Sequence, residues 1–118
     1  MFDALRNLEA WKRSCRLAVD VVRLLDSCPN RVFRDQLSRS SLSVASNLAE
    51  GYARESGRDR IRFLVIAKGS CTECWTQLLI GSEARLIDRE AASDLAAEAE
   101  EVAAMIAGLI KYFRRNAT

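Results

Sequence analysis

The sequence predicts an all-α protein, an antiparallel up-down-up-down four-helix bundle forming a single domain over residues 1–118. Three observations carry that prediction. Apolar residues recur at alternating spacings of three and four, the rhythm of one helix face. No stretch alternates with the period of two that a half-buried strand needs. The 118 residues, 49% apolar and 29% charged with one proline and five glycines, supply one core and match no disordered, collagenous or disulfide-stapled composition.

The first helix is predicted from about Leu5 to about Ser27, where Leu8, Trp11, Cys15, Ala18, Val22 and Leu25 keep the rhythm until Pro29 stops it. Leu17, Val21 and Leu24 lie off that stripe, so this helix has apolar surface for contacts on two sides. The second helix, Val32 to Tyr52, carries Phe33, Leu37, Ser41, Val44, Leu48 and Tyr52, and the small residue in mid-stripe implies close packing. Beside it runs a wholly polar stripe of Gln36, Ser40, Ser43, Asn47, Glu50 and Arg54. That stripe either faces water or meets Ser70, Glu73 and Gln77 of the third helix and a neighbouring subunit, where satisfied polar contacts fix register.

The third helix, about Asp59 to Leu86, places Leu64, Ala67, Cys71, Cys74 or Trp75, and Leu78 on one face, with Ser56 or Gly57 placed to help cap it. Residues Arg54 to Arg62 read as the inter-helix loop, carrying Gly57 and four arginines: Arg54, Arg58, Arg60 and Arg62. Ala92, Leu95, Ala99, Val102, Ile106, Leu109 and Phe113 define the fourth helix. Asp88, Glu90 and Asp94 lead it and Lys111, Arg114 and Arg115 end it, as a helix macrodipole favours.

Composition also narrows function. Histidine is absent, which removes Ser/His and Cys/His nucleophiles, His-containing zinc sites and the Glu-x-x-His di-iron motif of helical bundles. The longest apolar run, Val102 to Ile110, is far short of the roughly 20 residues of a membrane span, and the start has no basic-then-apolar signal, so a soluble cytoplasmic protein is expected. Net charge is only +2, but residues 1–70 carry +5 and residues 71–118 carry −3. Fifteen of the 18 basic residues are arginine, the cation suited to bidentate pairing with carboxylate or phosphate.

Cys71-Thr-Glu-Cys74 is a C-x-x-C set deep inside a helix, away from the helix N-terminus that a reactive thiol pair uses. Cys15 and Cys28 are about 20 Å apart along or just beyond one helix, too far to complete a four-cysteine zinc site. Buried, reduced core cysteines are the expectation, with no metal or cofactor. The glycines are isolated and none precedes a Lys-Ser/Thr pair, so no phosphate-cradling loop exists. Glu50 and Glu73 would form an acid/base pair if they faced each other across the second and third helices; otherwise they accept hydrogen bonds from their polar neighbours.

The run Gln36-Leu-Ser-Arg-Ser-Ser-Leu-Ser-Val-Ala-Ser-Asn-Leu-Ala-Glu-Gly-Tyr-Ala-Arg54, the block Phe63-Leu-Val-Ile-Ala-Lys-Gly-Ser-Cys-Thr-Glu73 and the opening Leu8-Glu-Ala-Trp11 resemble the signature of the 23S rRNA intervening-sequence proteins. The resemblance spans nearly the whole chain and departs from the family at Cys74, where an aliphatic residue is usual. It implies a homopentameric barrel of four-helix bundles. It also implies kinship with the accessory proteins of diversity-generating retroelements, which bind a reverse transcriptase and nucleic acid through basic surface. Gln36, Arg39, Ser43, Asn47, Glu50, Gly51, Ser70 and Glu73 are by resemblance signature positions, none with a known catalytic role.

The expected function is therefore a non-enzymatic oligomeric scaffold or adaptor. Its partners would be further copies of itself and, through a rim of Arg54, Arg58, Arg60 and Arg62, RNA, DNA or a nucleic-acid-processing protein. The alternatives are a nucleic-acid-binding accessory protein as the main role and, more remotely, an enzyme using Glu50 and Glu73.

Overall fold

In the computed structural model, which describes residues 2–116, the first predicted helix is divided. Helix α1 spans Phe2–Arg6 and α2 spans Glu9–Leu24, followed by a 3₁₀ turn at Leu25–Ser27; α3 is Arg31–Ala53, α4 is Gly57–Glu83 and α5 is Arg89–Asn116. Leu8, with extended backbone (φ −82°, ψ 112°), separates α1 from α2, and α1 packs on α2 with Leu5 buried. Neither glycine nor proline marks this break, which is why periodicity alone runs across it.

Side chains start the long helices. Asn30 accepts a hydrogen bond from the Phe33 N–H at 2.9 Å, Ser56 from the Asp59 N–H at 3.3 Å, and Asp88 from the Ala91 N–H at 2.9 Å. Because Ser56 is the cap, α4 begins at Gly57, and the link from α3 is only Arg54 to Ser56. Arg58, Arg60 and Arg62 thus lie in the first turns of a helix, which corrects the longer loop that the sequence implies.

The far end of α4 closes in a Schellman motif, with the Leu86 N–H on the Gly81 carbonyl at 2.8 Å and the Arg85 N–H on the Ser82 carbonyl at 3.1 Å. Arg85 takes the left-handed conformation this motif requires, φ 60°.

The molecule measures 48 × 22 × 21 Å. Short links force α3 and α4, then α4 and α5, into antiparallel pairs along their lengths, and α2 closes the arrangement by packing on both α3 and α5. The core faces of α3 and α4 centre on the expected Leu37, Ser41, Val44 and Leu48 and on Leu64, Ala67, Cys71, Cys74 and Leu78; on α5 the expected Ala92, Ala99, Val102 and Ile106 are buried together with Ala96 and Ile110, while Leu95, Leu109 and Phe113 are half-buried at its edge. On α2 the core face is rotated. Ala10, Ser14, Leu17, Val21 and Leu25 are buried, Val21 with no exposed surface, whereas Val22 is 46% exposed. Contact with both α3 and α5 draws the off-stripe residues inward, so Val21 belongs to this core and is not spare surface for a partner.

One residue is chemically mismatched to its backbone. Arg85→Gly removes the left-handed penalty and is expected to stabilise by about 1 kcal/mol, raising Tm by about 4 °C in a thermal melt.

Candidate functional site

The polar stripe of α3 forms a seam against α4. The Ser40 hydroxyl donates to Gln77 Oε1 at 2.7 Å and reaches the Leu37 carbonyl at 3.2 Å. One turn along, the Ser43 and Ser70 hydroxyls are 2.8 Å apart, and Asn47 Nδ2 donates to both the Ser43 hydroxyl (2.9 Å) and the Ser43 carbonyl (2.8 Å). At the end of the seam an added Cβ on Gly51 would stand 3.2 Å from both the Arg60 carbonyl oxygen and Phe63 Cβ, so glycine there permits the closest backbone approach. Small side chains bring the helices together, and the hydroxyls they bury are satisfied by one another.

The signature positions therefore divide. Ser43, Asn47, Gly51 and Ser70 hold the seam, joined by Ser40 and Gln77, whereas Gln36, Arg39, Glu50 and Glu73 are exposed along its outer edge. Glu50 pairs with Arg54 at 3.5 Å. Glu73 does not face it. With Ser43 opposite Ser70 and Gly51 opposite Phe63, Glu50 lies beside the start of α4, and Glu73 is about nine residues, roughly 13 Å, further along. Glu50 instead lines a shallow groove with Phe2, Leu5, Ser46, Ala49 and Ala53. The structure does not assemble the proposed acid/base pair.

The four arginines differ in role. Arg60 reaches back over the end of α3, donating through Nε to the Gly51 carbonyl (3.3 Å) and through a terminal nitrogen to the Arg54 carbonyl (3.2 Å). Its guanidinium also stacks on Tyr52 (5.3 Å) and Phe113 (5.0 Å), which are themselves packed edge to face at 5.8 Å. It is a structural pin across three helices. Arg54 and Arg62 lie on the Phe63 ring at 4.7 and 4.5 Å, and Arg62 also pairs with Asp59 at 3.7 Å. Arg58 is exposed. The contact of Arg60 with Phe113 brings the basic end of α5 beside the start of α4, so Arg58 and Arg62 share one end of the molecule with Lys111, Arg114 and Arg115.

Cys71 and Cys74 are fully buried, as expected, and Cys71 Sγ donates to the Ala99 carbonyl of α5 at 3.1 Å. Burial pushes the Cys71 thiol up to about 11 and the Cys74 thiol up to about 12. Both stay protonated, poor nucleophiles and poor ligands at neutral pH. Among the described residues no cluster of three or more His, Cys, Asp or Glu is arranged to hold a metal ion, and no helix is long and apolar enough to cross a membrane.

Sequence reasoning missed the clamp between α2 and α5. Arg13 grips Glu98 through two nitrogens, at 2.8 and 2.6 Å, and reaches Glu101 at 3.1 Å. The hydrogen bonds from Arg13 hold the Glu98 carboxyl below its usual range.

These features define a helical-bundle protein in which Ser40, Ser43, Asn47, Ser70 and Gln77 join two helices. The chain belongs to the family of 23S rRNA-intervening sequence proteins, whose model matches residues 6–108. A crystal structure of a protein of unknown function from the S23 ribosomal protein family of Bacteroides thetaiotaomicron is similar, with a TM-score of 0.81 at 24% identity, covering 86% of this chain and 98% of that one. That likeness establishes a shared fold. None of the curated proteins matches the chain.

The seam and the thiols are each open to a direct check. Ser43→Ala is expected to cost about 1 kcal/mol by stranding the Ser70 hydroxyl and removing one of the two acceptors of Asn47. Ser70→Ala on that background should cost less than it does alone, a coupling of about 0.5–1 kcal/mol in a double-mutant denaturation cycle. For the thiols, an unfolded cysteine ionises near 9.0 while the folded ones hold their protons to about 11 and 12. The unfolded state therefore loses protons first, so their contribution to stability is complete below pH 9 and declines as pH rises toward 11–12. Urea titrations between pH 8 and pH 11 are expected to show that fall, and native labelling near pH 8 should spare both cysteines.

Proposed function

We propose that the protein is a non-enzymatic, cytoplasmic scaffold or adaptor that assembles from several copies of itself, meeting along the outer face of α3 and α4. The observation that carries this reading is the apolar edge of α4 beside the seam. Ile66 (41%) and Ile80 (55%) are exposed there, and Gly69 stands mid-helix with nothing within 4 Å of an added Cβ. A mid-helix glycine costs about 1 kcal/mol relative to alanine, and no contact within the protomer requires it. Close approach of a second helix from another copy supplies the reason. Arg39 and Glu73, exposed and without an ion pair among the described residues, offer opposite charges across such a contact. The four free thiols suit a reducing cytoplasm.

Light scattering tests this reading. A mass near five subunits, about 66 kDa from 13.2 kDa each, is expected. Ile66→Glu with Ile80→Glu should return it to one subunit while helicity by circular dichroism is retained. A wild-type protein that stays monomeric at every salt concentration sinks the assembly.

A second reading, a nucleic-acid-binding accessory role of the kind implied by resemblance to retroelement accessory proteins, draws support from the shared basic end. Repetition of Arg58, Arg62, Lys111, Arg114 and Arg115 around a ring multiplies a modest charge. Structured RNA is then expected to raise the mass at low salt and to dissociate as salt rises. Alanine at Arg58, Arg62, Arg114 and Arg115 should abolish that shift; Arg60 is spared because it pins the fold. Unchanged RNA binding by the fourfold variant counts against this role.

A further inference from the structure

The basic end opens into an apolar trough between α4 and α5 that the assembly face does not use. It has a volume of about 610 Å³ and is lined by Val65 and Lys68 of α4 and by Ala107, Ile110, Lys111, Arg114 and Arg115 of α5. Its floor is aliphatic, and no carboxylate lines it. The ion pairs among the described residues engage Arg6, Lys12, Arg13, Arg54 and Arg62, and none of the four trough cations. Val65 stands 46% exposed.

We infer that this trough is the docking site for an acidic amphipathic helix of a protein partner. The inference rests on the adaptor reading, for which it supplies the partner's chemistry. Two features select this occupant. Cations stand on both walls, Lys68 on one and Lys111, Arg114 and Arg115 on the other, while Val65, Ala107 and Ile110 lie between them. An amphipathic helix matches that layout, with apolar side chains at i, i+3 and i+4 on the floor and flanking Asp or Glu on the walls. Along α5 the lining runs from Ala107 to Arg115, about 12 Å, or two turns of a bound helix. A nucleic acid matches it less well. Phosphates gain nothing from an aliphatic floor, and no aromatic ring lines the trough for bases to stack on.

The probe is a fluorescein-labelled peptide of about 20 residues, with leucine at the a and d positions and glutamate elsewhere, titrated with the full chain at low salt and read by anisotropy. A scrambled peptide of the same composition and a single-stranded RNA of equal charge serve as comparators. Saturable binding of the amphipathic peptide is expected, with at least tenfold weaker binding of the scrambled one, about tenfold loss in Val65→Asp, and about tenfold loss in Lys111→Glu with Arg114→Glu. Ala107→Gln, on the α5 side of the floor, repeats the floor test should Val65→Asp unfold. Equal binding of the scrambled peptide, RNA that displaces the peptide and binds Val65→Asp as well as the parent, or no saturable binding overturns the inference. Light scattering on the same samples keeps the two readings apart. An assembled ring that ignores the peptide refutes the trough alone, and a monomer that binds it refutes the assembly alone.

Discussion

Close contact between α3 and α4 is the constraint on which the other features depend. Serine and glycine on α3 let the helices approach until hydroxyl groups meet across the interface, and a buried hydroxyl is tolerated only when it finds a partner. Ser40 with Gln77 and Ser43 with Ser70 can pair in one axial register, so the seam fixes how far α4 is displaced along α3. An apolar seam of the same width would tolerate sliding by a turn; this one penalises it with unpaired polar groups.

Much of the remaining architecture follows from that register. It carries Arg60 to the end of α3, where a single guanidinium caps two carbonyls and gathers Tyr52 and Phe113. Through Phe113 the end of α5 is set against the start of α4, which collects the basic residues at one end and forms the cationic trough. Across the bundle, the paired hydrogen bonds of Arg13 to Glu98 tie α2 to α5, the contact that the seam leaves unsupported.

Charge and apolar surface are separated on the finished molecule. Ile66 and Ile80 are exposed beside the seam, while Lys68, Lys111, Arg114 and Arg115 surround the trough between α4 and α5. A net charge of only +2 conceals that separation, because ion pairs occupy several of the other cations. The proposed adaptor role draws on this separation, with the apolar surface assigned to copies of the chain and the cationic trough to a partner.

The sequence by itself determined the long helices, though not the break at Leu8, because the three-four rhythm of apolar residues is a property of local geometry, and it determined the burial of Cys71 and Cys74 from their position in that rhythm. A cap at Ser56 or Gly57 was legible for the same reason, since a cap acts within one turn of its own residue, whereas Asp88 was legible only as a charge suited to a helix start. Only the tertiary structure decided which side of α2 is core, since two neighbouring helices, and not the strongest single stripe, chose Val21 over Val22. It also decided the fate of the polar residues. Ser43 and Arg39 occupy neighbouring polar positions in one run of sequence, yet one closes a seam and the other faces outward, because the partner of Ser43 lies 27 residues away on another helix. Long-range pairing selects among faces that local chemistry leaves equivalent, which is why Arg60 reads as free charge in the sequence and is a pin in the fold.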